Sequence, residues 1–297
     1  MKHKKLWLGL VVAGAPFVFV LFPVIFFVLL LTGNDSIPWG EGIGLLEVEG
    51  VIADSRETVR QLDEMGKDDR VRAVVLRVDS PGGVVGPSQE IYAEVKKLAT
   101  KKKVVVSMGS LAASGGYYIA APASMIMANP GTITGSIGVL MKVPNVEGLL
   151  GKVGLRAVTL KTGRFKDAGS PIRAMTAEDR AMLQGVLESA HKQFVRAVAE
   201  GRRLPVEDVR KLADGRIFTG EQALALKLID RIGTLQDAVE EAGKLGGIKG
   251  EPRLIRPAGK GNGWLDMLME GTASRIVEWA RKEGGLSLRY QLDGALR

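Results

Sequence analysis

Ala73-Val74-Val75-Leu76-Arg77-Val78-Asp79-Ser80-Pro81-Gly82-Gly83 is the stretch on which the reading of this chain turns. Its first six residues are a β-branched apolar run of strand length, the pattern of a strand buried on both faces. The next five are a turn: Pro81 sets one φ angle, and the paired glycines let the backbone reverse tightly and direct its N–H groups outward. Pro87–Leu98 follows as an amphipathic helix with Ile91, Val95 and Leu98 on one face. Strand, glycine turn and helix form one βα unit, and the same rhythm extends on both sides. Upstream lie a strand at Ile43–Val48 and a helix at Thr58–Met65. Downstream come a strand at Val104–Met108, a short buried helix at Ser114–Ala121, and strands at Met125–Ala128 and Val158–Leu160. Thr176–Arg202 is the longest helix, with Thr176 and Asp179 spaced as a capping box. Helices at Val206–Leu212, Glu221–Leu226 and Leu235–Lys244 complete the domain. Strands alternating with helices predict an α/β fold with a mainly parallel sheet.

Composition narrows the chemistry. The 297 residues are 46% hydrophobic and 25% charged, which is a globular balance and excludes a mostly disordered chain. Cysteine is absent, so disulfides, thiolate metal sites and a cysteine nucleophile are excluded. The only histidines are His3 and His191. No metal site and no cofactor are expected. His191 sits mid-helix beside Lys192 and reads as a surface side chain. The net charge of +8 includes Lys2, Lys4 and Lys5, and the chain carries no nucleic-acid signature, so no nucleic-acid partner is expected. Attraction to anionic lipid accounts for the bias as well.

Leu6–Leu31 is an uncharged, strongly apolar run. About 20 residues span the hydrocarbon core, so it predicts one N-terminal transmembrane helix, with Pro16 and Pro23 tolerated inside it. The lysines before it and Asp35, Glu41 and Glu47 after it place the N-terminus in the cytoplasm. A cleaved signal would have a shorter apolar region, so an uncleaved lipid anchor is the preferred reading. The expected organisation is a basic tail at 1–5, an anchor at 6–31, a linker at 32–42, an α/β domain at 43–249 and a C-terminal extension at 250–297. In that extension Trp264, Leu265, Leu268, Ile276 and Trp279 recur as one helical face, suited to packing on the domain or a partner, or to a membrane interface.

Two glycine-rich turns carry candidate chemistry. Gly82 and Gly83 end a buried strand, where backbone N–H groups can receive an oxyanion; an ordinary turn is the plainer alternative. Ala112-Ala113-Ser114-Gly115-Gly116-Tyr117-Tyr118 joins a strand to a short helix. Ser114 is either a helix cap or a nucleophile with the Gly115 N–H as oxyanion donor. With His191 read as exposed, the remaining base is a lysine. A lysine serves as base only when burial lowers its pKa from about 10.4. Lys166, Lys142, Lys152 and Lys161 are all candidates, and spacing does not choose between them.

The ordered set Asp79-Ser80-Pro81-Gly82-Gly83, Met108 to Tyr118, Asn129-Pro130-Gly131-Thr132-Ile133-Thr134-Gly135-Ser136-Ile137-Gly138-Val139 and Gly163-Arg164-Phe165-Lys166 resembles the bacterial signal peptide peptidases of the SppA type. Phe218 to Leu224 and Leu228 to Gly233 extend the resemblance, which covers roughly Ile43 to Gly243. It implies a membrane-anchored Ser–Lys protease with a Clp-protease/crotonase-like fold that degrades signal peptides left after cleavage of secreted proteins. It also implies Ser114 as nucleophile, Lys166 as general base, Gly115 with Gly82 or Gly83 as oxyanion donors, and Ser136 as the residue orienting the lysine amine. This chain is similar to the short, single-copy form, which implies a ring-like homo-oligomer. The implied setting is the bacterial cytoplasmic membrane, with the catalytic domain on the extracytoplasmic side and extended apolar peptides as substrates. One departure is Lys227, where a glycine is expected after a helix. A related Ser–Lys protease acting on other membrane-associated proteins, a non-proteolytic crotonase-like scaffold, and an inactive membrane interaction protein remain as alternatives.

Overall fold

The structure is a computed structural model that describes residues 40–257 and, as backbone, 289–291. The chain divides into units Met1–Gly40 and Glu41–Arg297, and the fold is that of the second unit. The expected basic tail, the anchor at 6–31, most of the linker and the apolar face from Trp264 to Trp279 lie outside the described residues. Among the described residues, no helix is long and apolar enough to cross a membrane.

The central strands are β1 (Gly42–Glu49), β2 (Val71–Ser80) and β4 (Lys103–Ala113), all parallel. Helix α1 (Arg56–Lys67) connects β1 to β2. The short strand β3 (Gly82–Val84) and helix α2 (Val85–Ala99) connect β2 to β4. Helix α3 (Gly115–Ala120) follows β4, then β5 (Met125–Ala128) and β6 (Ile133–Gly135). After an exposed arm carrying α4 (Glu147–Lys152) come α5 (Ala177–Arg202), α6 (Val206–Leu212), β7 (Ile217–Phe218), α7 (Gly220–Ala225), β8 (Arg231–Ile232), α8 (Leu235–Leu245) and β9 (Leu254–Ile255). The eight-stranded sheet runs β7-β6-β4-β2-β1-β9, with β5 on β4 and β8 on β5. Among the described residues, only β6–β7 is antiparallel in it. The mixed α/β architecture with a mainly parallel sheet is therefore as expected.

The continuous apolar run of β2 has a direct cause. Val74, Leu76 and Val78 face one side of the sheet and join a core with Leu62, Ile91, Val95 and Phe194. Ala73 and Val75 face the other and meet Ala238, Val239 and Ala242 of α8. Both faces are covered by helices, so neither phase of the alternation can be polar. Removing such side chains from water stabilises the fold by about 1.5–3 kcal/mol each. On the first face, the Tyr92, Tyr118 and Phe194 rings pack in sequence, the first pair tilted and the second edge-to-face, with centroids 4.9 Å apart in both. They lock α2, α3 and α5 together. The Thr176–Asp179 capping box opens α5 as its spacing predicts.

The structure corrects two expectations. Val158–Leu160 is not a strand: Val158 is 84% and Leu160 94% exposed, on an arm where no strand lies beside them among the described residues. A β-branched run forms a strand only where a neighbour supplies ladder partners. His191 is half-buried rather than a free surface residue, and its Nε2 lies 2.7 Å from the Ala213 carbonyl oxygen. The strand at Val104–Met108 also continues to Ala113, for a reason that bears on the site.

Candidate active site

Strand β4 changes partner midway. Val105–Met108 pairs with β5, and Leu111–Ala113 pairs with β6. Against β2 the register jumps from Val78↔Met108 to Ser80↔Ala112, so two steps on one strand match four on the other. The extra residues bulge around Asp79. Its carboxylate accepts from the Ser110 N–H at 3.3 Å and the Leu111 N–H at 3.1 Å. A Cβ on Gly109 would sit 2.5 Å from Asp79 Oδ2, so only glycine permits the approach. Thr132 Oγ1 donates to the Gly109 carbonyl at 2.7 Å. The bulge thus has its polar groups paired, and it delivers the end of β4 beside the end of β2.

Ser114 stands at that end. Its backbone is at φ 54°, ψ −116°, a conformation that costs a non-glycine residue on the order of 1–3 kcal/mol. Its N–H donates to the Gly135 carbonyl at 2.8 Å, and its carbonyl accepts from the Tyr118 N–H at 2.8 Å. The side chain makes no capping hydrogen bond, so the helix-cap reading fails for Ser114. Strain held at a buried serine on a strand-to-helix corner is the geometry by which a nucleophile is presented. The corner is tight: a Cβ on Gly116 would lie 2.7 Å from the Ser80 carbonyl oxygen.

The Gly82–Gly83 turn forms the adjacent wall. Ser80 Oγ donates to the Gly50 carbonyl at 2.6 Å and accepts from the Gly82 N–H at 3.1 Å. Ile52 N–H donates to the Gly82 carbonyl at 2.9 Å, and the Val84 N–H donates to the Ile52 carbonyl at 2.8 Å. That side of β3 is therefore filled, and alternation points the Gly83 N–H and carbonyl to the opposite edge. There β10 (Arg289–Gln291) pairs antiparallel, with Tyr290 opposite Gly83 and Gln291 opposite Gly82. Helix α3 packs against both β3 and β10. The edge beside Ser114 accepts a peptide strand, and in this chain the strand is its own.

Ser136 follows β6 at φ 49°, with its N–H donating to the Arg216 carbonyl at 2.8 Å. Because Gly135 accepts from Ser114, the two serines flank one backbone junction. Ser136 also lines a cleft of about 500 Å³ with Val139, Glu188, His191 and Asp214.

The structure therefore brings Ser114, Gly115, Gly82, Gly83 and Ser136 to one corner. Among the described residues, it does not bring a lysine there. Lys166 is exposed on a turn of the arm and has no side-chain hydrogen bond or ion pair to another described residue. Lys142 and Lys152 are exposed, and Lys161 is exposed with its ammonium on Asp167 and the Arg164 carbonyl. None of these four lysines is buried, as the chemistry expected of a lysine base would require. Sequence reasoning missed Asp79 and the arm's charged anchors. The three-residue gap between Met108 and Ala112 was invisible to a strand period of two.

Comparison with known proteins identifies the family of the chain. Residues 96–249 match the profile of Peptidase family S49. A Synechocystis sp. chain that carries a protease name is 47% identical over 207 residues, covering 69% of this chain and 75% of that one. An Enterococcus faecium chain named for the SppA signal peptide peptidase is 38% identical over 213 residues, covering 67% and 62%. Protease 4 of Salmonella typhi is 39% identical over 220 residues, covering 71% of this chain but 35% of the longer relative. With the strained serine and its glycine wall, these matches establish that the chain belongs to peptidase family S49 and is a serine protease.

Proposed function

We propose that this chain is a membrane-anchored endopeptidase of the Clp-protease/crotonase-like kind that degrades remnant signal peptides after their release from secreted proteins. The observation that carries the reading is the antiparallel strand on β3, which packs on the short helix that Ser114 opens. An enzyme for apolar peptides needs an edge that takes an extended chain through its backbone, and β3 provides one. The SppA name of the Enterococcus relative supports the substrate class. The apolar run Leu6–Leu31 supports the anchor, with the domain outside the cytoplasm.

In this reading neutral Lys166 Nζ takes the Ser114 hydroxyl proton as Oγ attacks the scissile carbonyl carbon. The carbonyl electron pair moves to oxygen, where the N–H groups of Gly115 and Gly83 stabilise it, the Gly82 N–H being already held by Ser80 Oγ. Collapse breaks the C–N bond, and the Lys166 ammonium returns its proton to the leaving amine. Water, deprotonated by the same amine, then hydrolyses the acyl-serine. Ser136 orients the amine.

Lys166 reaches this position in a ring-like homo-oligomer. The arm that bears it exposes Leu149, Val153, Leu155, Val158, Leu160 and Phe165, an apolar set of the kind that marks a protein interface. Burying that arm between copies removes water from the lysine, and desolvation favours a neutral amine. The test uses the full chain in detergent with a synthetic signal peptide and a folded secreted protein. Degradation of the peptide alone supports the reading; equal attack on the folded protein, or on neither, contradicts it.

A further inference from the structure

Residues 161–179 carry an ion network that the proposed chemistry does not use. Arg173 Nε donates to Asp167 Oδ2 at 2.8 Å and Nη2 donates to Asp167 Oδ1 at 2.9 Å, a two-pronged pair. Nη2 also reaches the Asp167 carbonyl at 3.1 Å. Nη1 donates to Asp179 Oδ2 at 2.6 Å and to the Ala174 carbonyl at 2.9 Å. Asp179 is buried, and the same Oδ2 accepts from the Thr176 N–H at 3.1 Å at the start of α5. Asp167 directly follows Lys166 and also takes the Lys161 ammonium. Two short turn bonds, Ala168 N–H to Phe165 and Ser170 N–H to Asp167, both at 3.0 Å, make the peptide segment stiff. One guanidinium therefore ties the residue after Lys166 to buried Asp179 in the first turn of the longest helix.

A helix cap does not explain the arrangement, since Thr176 and Asp179 already complete a capping box. The pairs are largely shielded from water, with the Arg173 side chain 26%, Asp167 11% and Asp179 3% exposed, on an arm that itself exposes large apolar side chains. Their geometry suits a different task. A general base must be held to a fraction of an ångström, and the two turn bonds stiffen the segment only locally, whereas the Arg173 fork anchors it to α5.

We infer that Arg173 is a positioning residue for Lys166: through Asp167 it fixes the backbone that carries the base, and it keeps the Asp167 carboxylate from the lysine ammonium. The inference rests on the reading of Lys166 as base. The charged groups on the segment that carries the lysine are Lys161, Arg164, Asp167 and Arg173, and those bound to them from α5 are Glu178 and Asp179, with Arg164 paired to Glu178. Without Arg173, Asp167 keeps one cationic partner and is free to pair with Lys166, which favours the protonated amine.

The experiment measures kcat, KM and the pH–rate profile of the full chain in detergent on an apolar peptide. The variants are Arg173→Ala, Arg173→Lys, Asp167→Asn, Arg173→Ala/Asp167→Asn and Lys166→Ala. For Arg173→Ala, kcat falls about 10- to 100-fold with KM little changed. Its rising pH limb moves up by about one unit. Removing the freed carboxylate in the double variant returns the limb to its wild-type position while kcat stays low. Arg173→Lys keeps the charge but loses the fork, so kcat falls with the limb unmoved. If Arg173→Ala is not folded, the Arg173→Lys result decides. Wild-type kcat and an unmoved limb in a folded Arg173→Ala, or wild-type kcat in Arg173→Lys, overturn the inference even where Lys166→Ala is inactive. Full activity in Lys166→Ala overturns it together with the dyad on which it rests.

Discussion

The Ser114 amide donates to the Gly135 carbonyl at 2.8 Å, so the strained backbone of Ser114 is tied to the residue before Ser136. This bond joins the residue just after a bulged strand to the strand that replaces its earlier partner. Two consecutive left-handed residues, Gly135 at φ 79° and Ser136 at φ 49°, turn the chain away immediately after it. The strain at Ser114 is thereby held by the sheet itself, through a hydrogen bond that relaxing the serine would break.

That strain gives a first prediction. Ser114→Gly relieves a positive φ without adding atoms and should raise stability by about 1 kcal/mol while abolishing cleavage. Urea unfolding of the two proteins checks it. A destabilised Ser114→Gly would mean that the serine conformation is not strained.

A second prediction concerns the strand on β3. β10 holds the edge that a substrate strand needs, with Tyr290 opposite Gly83. Ending the chain at Gly284 removes this competitor, so KM for an extended peptide should fall several-fold with kcat little changed. An unchanged KM in a folded, shortened chain would show that the tail does not compete.

Lys227 supplies the third. It sits at φ 60° after α7, where the Lys227 N–H donates to Leu224 at 3.0 Å and the Leu228 N–H to Ala223 at 2.9 Å. These are the two bonds of a helix-ending motif that favours glycine. The equivalent end of α8 uses Gly247 at φ 73°. Lys227→Gly should therefore stabilise the protein by about 1 kcal/mol and leave activity intact. Thermal unfolding with and without the substitution decides; a loss of stability would contradict the strain argument.

The fourth is a pH dependence of stability. The Arg173 hydrogen bond first, and the Thr176 amide after it, hold the Asp179 carboxyl down from 3.8 to about 2. Arg216 does the same for Asp214. A carboxyl depressed on folding stabilises the native state fully above its unfolded value and loses that contribution as the folded value is passed. Stability should therefore decline between about pH 4 and pH 2 from these two groups. Asp179→Asn should be less stable at pH 5, for want of its ion pair, yet lose less between pH 4 and pH 2. Equal losses in both proteins, read as urea midpoints, would contradict this.

The alternation of Val74, Leu76 and Val78 with Ala73 and Val75 made the parallel sheet legible, because both faces are covered and the run is unbroken. The glycine turns pointed to Gly82, Gly83 and Ser114 for a similar reason: a close approach leaves a mark in residue type. The short strands β3, β6, β7, β8 and β9 were not legible, since two or three residues carry no period. Val158–Leu160 misled because β-branched residues also serve an exposed arm. Arg173 was hidden because an ion pair six residues apart on an irregular segment has no pattern to find.

The most direct measurement is cleavage of a fluorogenic peptide with an apolar core by the full chain in detergent, beside folded Ser114→Ala and Lys166→Ala. The account predicts cleavage by the wild type and loss of about three orders of magnitude or more in both variants. Cleavage that survives in folded Ser114→Ala or Lys166→Ala would contradict it.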